Sequence, residues 1–440
     1  MKNKNLKKWL SAALACTMAA GLLAGCGGGS DEATTNEDGE VVIEFGIHVA
    51  NPQEQEAVTY NIVQAFNEKY DGQYQVDFRA ADTETHSKNM QLAAADGTLP
   101  EIFWIEASEA PEYSESGLLL DVSDFLSENP EIQEALGGME NAFTDDNGVY
   151  GLPYQSNVQG FFYNKAVFDE AGVAYPTADT TWDEFLEMVN SLKAAGVTPI
   201  AIGSKNSNYA MWEFNTFLER YGWTENIDSI LDGSEKFNNE DLVKCYEKLK
   251  ALADAGAFPE NIATIEYFDA KQLFDSGEAA MFGSGQWDCA EFDENIGENI
   301  GFWWGPKFTD SEYNQDTGMR VPSAPLGVSA AVGEDDQVKE AVYAFLQFYY
   351  GEEAATMSYE GSIFPAANYD GLTASDTQYA MNAMLNEINL GYESPASAPD
   401  LTVSSAVQTA LYDSMFGVMQ GTYEPAAALD QIDAALANSN

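Results

Sequence analysis

Trp287 follows the turn Gly283-Ser284-Gly285-Gln286, and Tyr209 and Trp212 stand in Ser207-Asn208-Tyr209-Ala210-Met211-Trp212, shortly after the apolar run 198–203. Trp104 and Glu106 close a second short run, 102–105, while His48 and Asn51 close a third, 41–49. Neither helix nor strand periodicity demands aromatics at such places, and side chains at strand ends are well placed to meet a ligand. Flat rings edged by planar amide, carboxylate or guanidinium groups suit a molecule with C–H faces and a rim of hydroxyls, as in a sugar. Each residue also has a plainer reading. Trp287 is a stacking platform or an interdomain packing residue. Of Tyr209 and Trp212, one is expected as platform and the other as core. Glu106 is a hydroxyl acceptor or a surface carboxylate. Asp288 is an acceptor or the cap of the next helix, and Arg320 reaches a cleft or pairs with nearby acids. His48 and Asn51 open a helix whose first amides are donors whatever the side chains do. In Trp303-Trp304 at most one ring faces a cleft, because neighbours on a strand point to opposite faces. Tyr392, in Gly391-Tyr392-Glu393-Ser394, is read as a lid aromatic.

Covalent and metal chemistry find less support. With two histidines and four cysteines, no close His/Cys cluster is present in the sequence, so neither a metal site nor a cofactor is expected. Cys245 lies on the apolar face of a helix and reads as a buried free thiol; pairing with Cys289 is not expected. No G-x-x-x-x-G-K-[ST] loop occurs, which argues against an ATPase. The rival readings are a secreted glycoside hydrolase, since 72 acids place some carboxylates in pairs by chance, and a receptor for a cation such as a polyamine, which acids and aromatics also suit. An adhesin or structural lipoprotein is a further rival.

These residues are positioned by alternating elements. Runs 41–49 and 73–80 alternate as strands, with a helical stripe at Val58, Ile62, Ala65 and Phe66 between them, the unit of a parallel sheet. Thr181-Trp182-Asp183-Glu184 reads as a capping box opening a helix that Gly196 stops. Strands are expected at 99–105, 198–203, 279–283, 300–304 and 324–332. Helices are expected at 90–95, 241–255 and after 332, with two more carrying Val407, Leu411, Met415, Val418 and Leu429, Ile432, Leu436 inward. The class is α/β with more than one sheet.

Residues 1–25 read as a secretory leader: Lys2, Lys4, Lys7 and Lys8, a short apolar stretch, then Leu23-Ala24-Gly25 before Cys26. Cys26 is the expected lipidation site, and residues 26–40 a flexible spacer. The chain carries a formal charge of −53, four units more negative without the leader lysines. That field repels nucleic acid and anionic lipid, so neither is an expected partner and the membrane is met only through the anchor.

Segments 92–102 (LAAADGTLPEI), 151–165, 181–203, 274–288 (FDSGEAAMFGSGQWD), 361–366 (GSIFPA) and 421–436 together resemble family 1 extracellular solute-binding proteins, the sugar-binding branch that feeds ABC importers. Glu101 stands where that family commonly has Asp. The resemblance implies no catalysis and a type II periplasmic-binding-protein-like fold, with two lobes, each a sheet flanked by helices, joined by a hinge. It places 41–153 with 308–362 in lobe 1 and 158–306 with 365–440 in lobe 2. The crossings then fall near 154–157, 306–307 and 363–364, putting Gln155 and Asn157 beside a ligand. It also implies a tryptophan stacked on sugar at the place of Trp287, ABC permease subunits as partners, a monomer, and residence on the outer face of the cell membrane.

Overall fold

The computed structural model describes residues 35–36, 39–205 and 209–439. Cys26 and the leader lie outside them, as do Asn206, Ser207 and Asn208. The strands are β1 (Val41–Ile47), β2 (Tyr74–Ala80), β3 (Ile102–Trp104), β4 (Thr144–Asp145), β5 (Gly148–Val149), β6 (Leu152–Pro153), β7 (Ser156–Asn164), β8 (Thr198–Ala201), β9 (Ala279–Gly285), β10 (Ile300–Trp303), β11 (Arg320–Pro322) and β12 (Pro325–Val328). One sheet has the order β2-β1-β3-β12-β6; a second has the order β10-β7-β9-β8, with β11 added to β7; β4 and β5 form a small hairpin.

Each sheet organises a lobe of this α/β fold. In β1 the alternation puts Ile43, Phe45 and Ile47 fully inside and leaves Glu44 exposed. The helix Ala57–Lys69 then lays Thr59, Ile62, Val63 and Phe66 on that face before β2 pairs parallel to β1. In the second lobe the capping box closes as expected: the amide of Thr181 donates to Glu184 Oε2 at 2.8 Å and that of Glu184 to Thr181 Oγ1 at 3.5 Å. The helix Trp182–Ala194 buries Trp182, Phe185, Met188, Val189 and Leu192 against β8 and β10 neighbours. Cys245 and Cys289 are free and buried. Among the described residues no helix is long and apolar enough to cross a membrane.

Two expectations need correction. The segment after Pro306 does not join the first lobe: Phe308, Met319 and Val321 are buried in the second lobe's cores, and the chain returns to the first sheet only between β11 and β12. Buried Arg220 explains this, since its guanidinium donates to the carbonyls of Gly305, Pro306 and Thr317 at 2.6, 2.8 and 2.9 Å. The end of the expected spacer is also anchored. Thr35 bridges to Val41, Asn36 bonds Glu40 and Gln75, and the Gly72 amide donates to Glu40. Within the expectation of at most one cleft-facing ring, Trp303 and Trp304 are both core, 1% and 2% exposed, because the end of β10 is covered on both faces. Their indole N–H groups donate to the carbonyls of Thr177 and Glu387.

Candidate functional site

Parallel pairing of β1 with β3 delivers His48 and Trp104 side by side at the carboxyl ends of the first sheet. Their rings stack with centroids 4.2 Å apart, and Tyr154 meets His48 edge-on at 5.9 Å. Burial and the neighbouring His86 push His48 down to about 4, so at neutral pH it is an uncharged ring. The Tyr154 hydroxyl donates to Glu56 Oε2 at 3.1 Å and lies 2.5 Å from Thr59 Oγ1. Burial pushes Glu56 up to about 7, opposed by hydrogen bonds from Tyr154 and Gln155. Glu56 was missed in the sequence, where it is one acid among many; its position just before an amphipathic helix was the only signal. Glu106 is half-buried and pushed up to about 6, chiefly by burial and then by Glu109. It also acts electrostatically on Tyr412, in the second-lobe helix Ser405–Met419, and Ser108 Oγ lies 3.2 Å from Ser405 Oγ. The lobes therefore meet beside Glu106. Asn51 does not join this group as expected: it is exposed, its side chain caps nothing, and the helix after it, Pro52–Gln55, is a single turn.

The second lobe presents its aromatics differently. Trp212 begins a 3₁₀ turn after β8, and Trp287 lies in the turn Gln286–Asp288 that ends β9. Trp212 meets Trp287 at 4.8 Å, Tyr209 at 5.9 Å and Tyr267 at 5.4 Å, and the Trp287 indole donates to the Tyr267 hydroxyl. Tyr209 is exposed and Trp212 half-buried, so neither is simply core. Two glycines make room. A Cβ at Gly285 would collide with the Trp287 ring, and one at Gly283 with the carboxyl of Glu213. Glu213 is 1% exposed with neither carboxyl oxygen hydrogen-bonded, and burial pushes it up to about 8. It is a neutral acid at neutral pH, and nothing in the sequence marked it.

Asp288 is neither free acceptor nor helix cap. Its carboxylate accepts from Tyr267, from Ser284 at 2.6 Å and from Lys271 at 2.9 Å, and its side chain makes no capping bond. It holds the Trp287 turn from inside. Tyr392 is likewise no lid: its hydroxyl donates to the Ala178 carbonyl and Lys307 sits over its ring.

Between the two aromatic sets runs the crossing. Tyr154 packs in the first lobe's core and Val158 in the second's. Gln155 is tied to Ser323 through its amide at 2.8 Å and its carbonyl at 3.0 Å, and the Ser156 amide donates to the Phe364 carbonyl at 3.1 Å. Tyr349 and Tyr350 donate to the carbonyls of Tyr154 and Pro153 behind it. Asn157 pairs with Val321, and the Val158 amide donates to Gln286 Oε1, one residue before Trp287. Arg320 is half-buried, donates from Nε to Ser156 Oγ at 3.3 Å and has no carboxylate within ion-pair distance among the described residues, contrary to the expectation of a solvated acid partner. The structure thus brings His48, Trp104 and Glu106 together on one side, Tyr209, Trp212 and Trp287 on the other, and Gln155, Asn157 and Arg320 along the crossing. Among the described residues no group of three or more His, Cys, Asp or Glu is arranged to hold a metal.

Residues 50–356 match the model of the bacterial extracellular solute-binding protein family. The chain is 25% identical over 281 residues to a multiple sugar-binding protein of Streptococcus mutans, covering 60% of this chain and 61% of that one. It is 26% identical over 257 residues to an sn-glycerol-3-phosphate-binding periplasmic protein of Rhizobium meliloti, covering 57% and 55%. The match thus spans a little over half the length of these relatives. Among solved structures, a chitin oligosaccharide binding protein superposes with a TM-score of 0.73 at 23% identity, over 91% of this chain and 98% of the other.

Proposed function

The chain belongs to the bacterial extracellular solute-binding proteins, and from that membership we propose that it captures a carbohydrate between its lobes and hands it, untransformed, to an ABC importer. The observation that carries the carbohydrate is the open cluster of Tyr209, Trp212 and Trp287 at the carboxyl ends of β8 and β9, together with Glu106 and Glu56 on the first lobe and Gln155 in the crossing between them. Rings give platforms for C–H faces, and the acids and amides bond hydroxyls at the edge. A phosphate ligand, as the name of the Rhizobium meliloti relative suggests for that protein, fits less well. Here the cleft residues offer one arginine, an uncharged His48 and a surrounding charge of −53. Closure is a hinge motion at the three crossings, near residues 154–157, 322–325 and 362–364. Anchorage through a lipid on Cys26, and docking of a single copy on the permease, complete the reading.

The test is a thermal-shift screen of the purified protein against mono- and oligosaccharides. A ligand that binds only the native state raises the midpoint, by about 2.7 kcal/mol of added stability at a hundredfold excess over Kd. A shift with spermidine and none with any glycan would replace the carbohydrate with a cation. Release of reducing ends would replace the receptor with a hydrolase.

A further inference from the structure

Among the described residues Ser362 is the only one other than glycine with a positive φ, +61°, and it stands where the chain leaves the helix Glu352–Glu360 for the third crossing. The turn is a helix stop of a kind that usually employs glycine. The Ser362 amide donates to the Tyr359 carbonyl at 3.1 Å and the Ile363 amide to the Ser358 carbonyl at 2.9 Å, the pair of bonds that closes a helix over a left-handed residue. A glycine is present, but one position too early. Gly361 has an ordinary φ of −89°, and a Cβ there would collide with Val58 of the first lobe. The glycine serves that close approach, and the left-handed conformation falls on a residue with a side chain.

Two contacts tie this turn to the rest of the hinge. Gln378, just before the helix Tyr379–Ile388, donates from Nε2 to the Tyr359 carbonyl at 2.6 Å and to Ser362 Oγ at 2.8 Å. Two residues beyond Ser362, the Phe364 carbonyl accepts from Ser156 in the first crossing. The helix after Gln378 buries Ala380, Met381 and Met384 in a second-lobe core, whereas Ala354, in the helix before Ser362, lies in the first lobe's core. The Gln378 clamp therefore spans the hinge, in an arrangement where the lobes touch at Ser108 and Ser405.

We propose that Ser362 is a spring in the hinge: bringing the lobes together forces it into the left-handed conformation under the Gln378 clamp, and parting them lets it relax, so that the empty protein is biased open. The proposal takes hinged closure from the reading above and needs no particular ligand. A side chain held at such a φ destabilises whichever arrangement requires it. Only the closed arrangement requires it here, so the strain lowers the closed population and weakens apparent affinity by the same factor. Glycine at this position removes the strain. Threonine, being β-branched, increases it while keeping a hydroxyl for Gln378.

Small-angle X-ray scattering of the ligand-free intact chain tests this on Ser362→Gly and Ser362→Thr. Ser362→Gly should move the closed-to-open ratio about tenfold toward closed and shrink the radius of gyration toward that of the arrangement with the lobes in contact. Calorimetric titration with maltotetraose, xylotetraose and chitotetraose gives the second readout. On whichever of them binds, Ser362→Gly should bind up to about tenfold tighter than wild type and Ser362→Thr several-fold weaker. Unchanged scattering in Ser362→Gly, whatever its Tm, would mean that the residue is strained alike in open and closed lobes, and overturns the spring. Equal affinity of wild type and Ser362→Thr overturns it as well. If none of the three tetrasaccharides binds, that result counts against the carbohydrate reading alone, and the scattering of Ser362→Gly still decides the hinge.

Discussion

Trp104 in the first lobe and Trp287 in the second both end a strand of their sheet, yet one is 8% and the other 38% exposed. Trp104 is covered by His48 on its face and approached edge-on by His86. Trp287 lies against Gly285 and meets Trp212 at 67°, an edge contact that leaves ring surface uncovered. The polar groups divide the other way. In the first lobe Glu56 and Glu106 remain half-buried, whereas in the second Asp288 is consumed by three internal partners and Glu213 is sealed. One wall therefore offers edge groups on a finished aromatic base, and the other offers open rings on a finished polar base. A ligand with faces and a rim needs both. The pairing also explains why equivalent tryptophans should respond differently to the same substitution.

Trp104→Ala should give the largest effect on stability, a loss of about 3–5 kcal/mol, because it empties a buried ring-sized volume. Trp287→Ala should change the ligand-free protein by about 1 kcal/mol or less and weaken glycan binding at least about a hundredfold. Denaturant melts and titrations of the two variants check this crossing of effects. A large loss of ligand-free stability in Trp287→Ala would make it a core residue and erase the contrast between the walls.

Glu106→Gln should act next in size, weakening binding roughly tenfold, as expected for losing one charge-assisted hydrogen bond. Because Glu106 takes up its proton near 6, wild-type affinity should fall as pH drops from 7 to 5. The variant should bind weakly throughout and keep only the part of that fall due to Glu56, which titrates near 7. Identical pH profiles in the two proteins would remove Glu106 from the first wall.

The contrast was only half visible in the residues. Glycines around Trp287 marked a ring in a tight turn, and the Thr181–Glu184 capping box was legible because its partners are three residues apart. Asp288 was misread because its partners Lys271 and Tyr267 come from a helix 17 and 21 residues away. For Trp303 and Trp304 alternation required at least one to be core but could not say that both faces are covered. The placement of residues 308–321 turned on Arg220, about ninety positions earlier, a contact no local pattern carries. Burial of particular acids was invisible for the same reason: 72 of them look alike until tertiary packing singles out Glu56 and Glu213.

Glu213 supplies the finest test of the second wall. Its folded value, about 8, stands above its ordinary 4.5, so between those limits the unfolded chain has released the proton that the native state still holds. Stability therefore falls as pH rises from about 4.5, and this contribution is flat again above about 8. Glu213→Gln cannot ionise, so the variant should match wild type near pH 4.5 and lose less on going to pH 8. The expected difference is on the order of a few °C in Tm, measured at both pH values. Gln also keeps the volume beside Gly283, so Trp212 and Trp287 should stay in place and glycan affinity near pH 6 should be unchanged. Equal pH slopes in the two proteins would mean that Glu213 reaches water or a partner, and the second wall would then not be closed beneath its rings.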